Sequence, residues 1–277
     1  MKINTMVIAE AGGITYFSLP CWEKWGFLKH GFSSRNGGVS KGPFVSLNLG
    51  FRGGDRSEAI HENRRRFLGL WGKKEEDLIC GEQVHGTEVF LVNESFAREA
   101  NGQIPSTDAL VTAQPGMLLG AFSADCLLAF FVEPSVPAIG LAHAGWRGTC
   151  MGIFDRVVNA MCLNFGARTD SIEVLLAPSI GACCYEVGKE VLDILSASPW
   201  REEIVLCPGT RPGHPFMDLQ ETNFNILCKA GIRAENIFRS DYCTHCNQHL
   251  FYSYRREGGG PTGSQMGIIF LNQGGSK

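Results

Sequence analysis

The chain has 277 residues, 44% of them hydrophobic and 19% charged, which is ordinary globular composition with enough apolar material for a real core. A formal net charge of −3 removes any general pull towards nucleic acid or an anionic membrane surface. The densest apolar run, Met117 to Val132, is interrupted by Asp125 and is too short and too charged to span a bilayer.

The first seventeen residues carry one Lys, a short apolar patch and Glu10, and lack the long apolar stretch of a secretory signal. A cytoplasmic protein is expected, and its eleven cysteines then read as reduced, mostly buried thiols. A helical pattern runs from Ser57 to Leu70, and the Arg64-Arg65-Arg66 triplet within it reads as a solvated helix face. β-rich runs follow at Val84–Val92, Leu118–Phe122, Leu127–Val132, Ala138–His143, Ile172–Leu176 and Met266–Leu271. Further helical patterns fall at Gly148–Phe165, Lys189–Ser196 and Leu219–Ala230, the last with Asp218 as N-cap and Gly231 at its C-terminal end. Strands and helices mix without a βαβ rhythm. The expected fold is therefore α+β, a single mixed-sheet domain with packed helices spanning residues 1–277. Neither a G-x-x-x-x-G-K-[ST] loop nor a G-x-G-x-x-G turn after a strand is present, which argues against an ordinary ATP or dinucleotide enzyme.

The chemistry concentrates in Phe122-Ser-Ala-Asp125-Cys126 and the apolar segment that follows it to His143. Two apolar strands flank a Pro-containing turn centred near residues 134–135. In an antiparallel hairpin with that centre, Cys126 and His143 face one another with Cβ atoms roughly 5 Å apart. Such a pair can grip one metal ion or act as nucleophile and base. His85, at the mouth of another predicted strand, would add a third ligand and leave a fourth tetrahedral position open, the pattern of a catalytic zinc site. Ala-Gly-Trp-Arg147-Gly follows His143 directly and places a guanidinium at a strand-to-helix junction.

Several motifs carry a resemblance: Gly31-Phe-Ser-Ser-Arg35 through Ser46-Leu-Asn48-Leu-Gly, Gln83-Val-His85-Gly, Ser123-Ala-Asp-Cys126, and His143-Ala-Gly-Trp-Arg147-Gly. Ala177-Pro-Ser-Ile-Gly-Ala-Cys-Cys-Tyr185, Cys243-Thr and Phe251-Tyr-Ser-Tyr-Arg255-Arg256 continue it. Together they cover roughly residues 27–271 and resemble the YfiH/YlmD family, often labelled "laccase domain" or "polyphenol oxidase". The resemblance implies purine nucleoside phosphorolysis on adenosine, inosine and methylthioadenosine, with adenosine deamination as a companion activity. It further implies zinc on His85, Cys126 and His143, with copper able to load the same ligands. Purine nucleosides and phosphate are then the partners, and a monomer or homodimer is expected. On this reading Arg35 and Arg147 hold phosphate, Asn48 orients ribose or base, and Asp125 carries a proton or orients a neighbour. One departure stands out: where the family commonly has Thr-Gly-Arg, this chain reads Thr262-Gly263-Ser264.

The seven histidines include no His-x-His pair, too few and too scattered for a four-copper laccase, although a single His₂Cys copper site acting as a phenol oxidoreductase stays open. No His has Glu two positions on, and Cys243 follows Tyr242, so the H-x-E and P-C-x-x-C pattern of zinc nucleobase deaminases is missing. The main rival is a metal-free amidase or deamidase with Cys126 as nucleophile and His143 as base, as in cell-wall precursor editing. A non-catalytic metal-binding or redox-buffering protein is the third reading. Cys243-Thr-His245-Cys246, with His249 nearby, reads as ordinary packing in preference to a second metal site or a redox pair, and the adjacent Cys183 and Cys184 read as structural residues with diverging side chains.

Overall fold

In the computed structural model residues 5–94 and 103–272 are described; the first four residues of the N-terminal stretch lie outside them. Two β-sheets form the centre. The seven-stranded sheet has the order β1 (Val7–Ala11), β2 (Ile14–Ser18), β3 (Leu28–Ser33), β15 (Gln265–Leu271), β8 (Leu118–Ser123), β4 (Leu78–Gly81), β6 (Gln103–Ile104). The six-stranded sheet has the order β14 (Ile237–Arg239), β11 (Glu173–Leu176), β9 (Leu127–Glu133), β10 (Ala138–Ala144), β7 (Ala109–Thr112), β5 (Val89–Leu91). A separate hairpin joins β12 (Leu206–Arg211) to β13 (His214–Met217). Both large sheets mix parallel and antiparallel pairs, and the α+β class follows.

The sheets stack on one another through Phe17, Phe32, Leu119, Leu128, Phe130, Leu141 and Ile269, all essentially excluded from water. Each such side chain contributes about 1.5–3 kcal/mol of burial. The stacking is close: a Cβ added to Gly267 of β15 would sit 2.8 Å from the Phe130 ring of the opposite sheet. Helices cover the two outer faces. α1 (Ser57–Gly69) packs Phe67 and Leu68 against Leu78, Leu118 and Ile268. α3 (Ile153–Phe165) packs Val157, Val158 and Met161 against Ala129, Phe131 and Val174. β9 is thus buried on both faces and every one of its residues is buried, which is why its sequence reads as an unbroken apolar run.

Three sequence expectations shift. The helix expected from Gly148 to Phe165 is two helices, α2 (Trp146–Cys150) and α3, because Gly152 adopts φ 71° between them and its missing Cβ makes room for Trp200. The strand expected over Val84–Val92 shrinks to β5, since His85 itself has φ 61° and cannot continue a ladder. The β9–β10 hairpin is present, but Leu127 pairs with Ala144 and Leu128 with His143. The turn centre lies one residue later than expected, so Cys126 falls opposite Gly145 and not opposite His143. The other helices are α4 (Lys189–Ser196) and α5 (Leu219–Lys229), where Asp218 accepts the Glu221 N–H as N-cap.

Candidate metal centre and its cavity

The site forms where the chain passes from one sheet to the other. Residues between β4 and β5 make one crossing and carry His85; residues between β8 and β9 make a second and carry Cys126. His143 is the penultimate residue of β10. Gln83 ties the two crossings together, donating from Nε2 to the Phe122 carbonyl and accepting the Phe122 N–H at Oε1, both at 2.8 Å. Asp125 allows the second crossing its sharp turn by adopting φ 102°, a conformation an L-residue holds only when its surroundings enforce it.

The donor atoms of His85, Cys126 and His143 all lie within 4.8 Å of one another. Cys126 Sγ is 3.8 Å from His85 Nε2, and the two imidazole rings meet edge to face at 5.0 Å. Tetrahedral zinc with ordinary Zn–N and Zn–S bonds would hold such a pair about 3.6 Å apart, so His85 and Cys126 need almost no rearrangement to share a cation. Gly145 makes this closeness sterically feasible. A Cβ there would lie 2.8 Å from the His85 ring and 3.1 Å from the Cys126 sulfur.

Asp108, which the sequence reading did not single out, organises the centre. Its Oδ1 lies 2.9 Å from His143 Nδ1 and accepts the His85 N–H, while Oδ2 accepts the N–H groups of Val84 and Gly86. One buried carboxylate therefore shapes the His85 turn and orients the His143 ring, leaving the Nε2 lone pair for the site. Burial alone would raise the Cys126 thiol, but the neighbouring His143 and then His85 outweigh it and bring it from the ordinary 9.0 down to about 6. Burial would likewise lower His143, yet the Cys126 sulfur and Asp108 carry it up to about 9. Each of the two thus favours the charged form of the other.

All three residues line a cavity of about 930 Å³, in the size range of small-molecule sites. Arg52, Arg64, Gln83, Phe122, Tyr254 and Ser264 are among its other walls. Arg52 donates to the Gln83 carbonyl at 2.6 Å. Arg64 departs from the expected solvated face. It is buried, pairs with Glu75 at 2.8 Å, donates to the Leu49 carbonyl and stacks on Phe51 and Phe122, whereas Arg65 and Arg66 pair with Glu62 on the surface.

The other residues named from sequence go elsewhere. Arg35 spends its guanidinium on the Val45 and Gln248 carbonyls and lies over the Tyr252 ring. Asn48 is fully buried; its amide donates to Asp55 and its oxygen accepts from Gly50 and Ser264. Neither lines the cavity, because both are consumed in holding the loops around it. Arg147 is exposed and lies over the Trp146 ring at 4.2 Å, also outside the cavity lining. Asp125 turns its carboxylate to Thr244, Ser253 and the Arg255 N–H, which makes it a loop anchor. A polar break, Ser106-Thr107-Asp108 ahead of the apolar Ala109–Val111, was the one sequence signal for Asp108. Nothing in the spacing linked it to a histidine 35 residues on.

Comparison with known proteins gives the family. The family model described as "Multi-copper polyphenol oxidoreductase laccase" matches residues 29–272. The purine nucleoside phosphorylase YlmD of Geobacillus stearothermophilus is 38% identical over 250 residues, covering 86% of this chain and 88% of that protein. A protein named adenosine deaminase RL5, from an unknown prokaryotic organism, is 31% identical over 246 residues, covering 85% and 94%. The crystal structure of YlmD from Geobacillus stearothermophilus superposes with a TM-score of 0.86 at 33% identity, covering 97% of this chain and all of that one. With the matching family model, these relatives and the shared fold, the chain belongs to the YlmD/YfiH family of laccase-like proteins.

Proposed function

We propose that the chain is a zinc-dependent purine nucleoside phosphorylase that takes adenosine, inosine and methylthioadenosine, deaminates adenosine as a side activity, and works as one catalytic domain in the cytoplasm. The observation that carries this reading is a three-donor set facing a cavity large enough for a nucleoside and phosphate. The donor chemistry fits zinc: a thiol already drawn towards its anion, and an imidazole whose other nitrogen is held by a carboxylate. The names of the relatives add the reaction class.

When bound, zinc would polarise a substrate oxygen or bring a bound water towards a pKa of ~7. The chain supplies the rest. Asp108 fixes His143 and His85 before substrate arrives, so no reorganisation is needed on binding. Arg52, anchored by Gln83, offers phosphate a fixed positive charge in the cavity, a role better suited to it than to Arg35 or Arg147. Arg64 is largely neutralised by Glu75 and shapes the wall together with Phe122. Tyr254 and Phe122 offer aromatic faces to a purine. A phosphate oxygen bonds to the ribose C1′ as the glycosidic bond breaks; its electron pair leaves with the purine, which takes up a proton.

One arrangement favours a second reading. Asp108, His143 and Cys126 are in the order of a thiol-hydrolase triad, the metal-free amidase alternative. Incubating metal-quantified protein with adenosine, with and without phosphate, separates the two. Phosphate-dependent adenine and ribose 1-phosphate, lost in chelator, support the phosphorylase. Survival of adenosine, inosine and methylthioadenosine alike sinks it and moves the amidase to first place.

A further inference from the structure

Four cysteines that the sequence reading assigned to packing converge on one point. Cys183 and Cys184 stand in the turn that begins at Gly181, where the N–H groups of Cys184 and Tyr185 both bond to the Gly181 carbonyl. Cys243 and Cys246 stand in a second turn, closed by the Asn247 N–H on the Cys243 carbonyl. A parallel bridge between Ser179 and Cys243, with the Thr244 N–H on the Ser179 carbonyl, sets the two turns side by side. Cys246 Sγ then lies 3.6 Å from Cys183 Sγ and 3.4 Å from Cys184 Sγ, and all four sulfurs lie within 4.8 Å of one another. The adjacent side chains of Cys183 and Cys184 do not diverge; both reach Cys246.

Those separations discriminate between chemistries. A disulfide needs about 2.0 Å between sulfurs, and all eleven cysteines are free. Four thiolates around zinc at about 2.3 Å stand roughly 3.8 Å apart, close to what these turns already hold. At Cys243 the supporting contact is that of a thiolate. The Gly181 N–H donates to Cys243 Sγ at 3.2 Å, and Arg256 donates to the Thr244 and His245 carbonyls, placing a positive charge beside the second turn. Gly181 also leaves the space, since a Cβ there would lie 3.3 Å from Cys243 Cβ and 3.4 Å from Cys183 Sγ. Cys183 and Cys246 are exposed, which gives a cation an entry path.

We propose that Cys183, Cys184, Cys243 and Cys246 form a second metal site, a closed four-thiolate zinc centre that clips these two turns together. None of the four lines the cavity, and with four protein ligands the zinc keeps no position for substrate or water. Its task is positional. The clipped turns supply partners of Asp125: Ile180 donates to its carbonyl, Thr244 to its Oδ1, and the downstream Ser253 and Arg255 to its Oδ2. Asp125 adjoins Cys126, so the clip holds the strained crossing that presents Cys126.

The test is zinc stoichiometry on the full chain purified without added metal or chelator. Cys246→Ser is expected to lower bound zinc by one equivalent relative to its parent, and His85→Ala to lower it by a different equivalent, so that the double variant loses both. An unchanged zinc content in Cys246→Ser overturns the proposal, as does copper or iron in that equivalent. Because the variant can fail to fold, the wild-type chain supplies a second measurement: iodoacetamide labelling mapped by mass. The four thiols are expected to resist labelling until a chelator is added. Equal labelling with and without chelator, or their recovery as disulfides, overturns the site.

Discussion

The two groups of sulfur ligands are built differently. Among the described residues, they are the two sets of three or more His, Cys, Asp or Glu donors that share a 4.8 Å sphere. His85, Cys126 and His143 come from two inter-sheet crossings and a strand end, border a cavity, and are aligned by a buried carboxylate. The four cysteines come from two turns joined by a bridge, border no part of that cavity, and are supported by backbone N–H and carbonyl groups. A mixed imidazole–thiol set with an open side leaves room for chemistry, whereas a closed thiol set can only hold structure.

Removing a ligand from the first set is the strongest way to break this contrast. Cys126→Ala is expected to lose one equivalent of zinc and all measurable nucleoside turnover while the four-cysteine zinc stays; full turnover in the variant would end the metal scheme. Next comes reactivity. After chelation Cys126 should alkylate with a pH midpoint near 6, well below the ordinary 9.0, because His143 and His85 favour its anion as pH rises through that value. At pH 7 this corresponds to about a hundredfold more thiolate than an unperturbed thiol. A midpoint near 9 would show that the imidazoles do not act on the sulfur. Asp108→Asn should weaken zinc binding or turnover about 10–100-fold, read by competition with a chelating dye alongside kcat/KM; wild-type values would deny the carboxylate its orienting role. Gly145→Ala, whose new Cβ meets the His85 ring, is expected to lower kcat about tenfold with the four-cysteine zinc unchanged, since small misplacements of reacting groups are costly.

The sequence pointed to the α+β class and to the meeting of His85, Cys126 and His143, but not to how the sheets are arranged around them. His85, Cys126 and His143 stood out because polar residues interrupted apolar runs and matched family motifs. The hairpin that suggested their meeting was right in kind and one residue off at its turn, and the donors still converge because Cys126 sits beyond the end of β9. Two stacked sheets were not legible: β9 and β10 are buried on both faces, so alternation that could assign residues to layers is absent. Arg35 and Asn48 looked like ligand residues because Gly-rich turns host both functions and scaffolding, and only their hydrogen bonds tell the two apart. The convergence of the four cysteines was not legible for a different reason. Their meeting depends on a bridge between residues 64 positions apart, which no local spacing records.

The placement of the first metal centre also bears on how the folded chain is held. His85 and Cys126 ride on separate crossings between the sheets, so a cation held on both would tie the two crossings to each other and to the end of β10. An ion held there would stabilise the state in which both crossings are formed over any state in which they are not. Such an ion would act as a staple on the two crossings once the chain has folded.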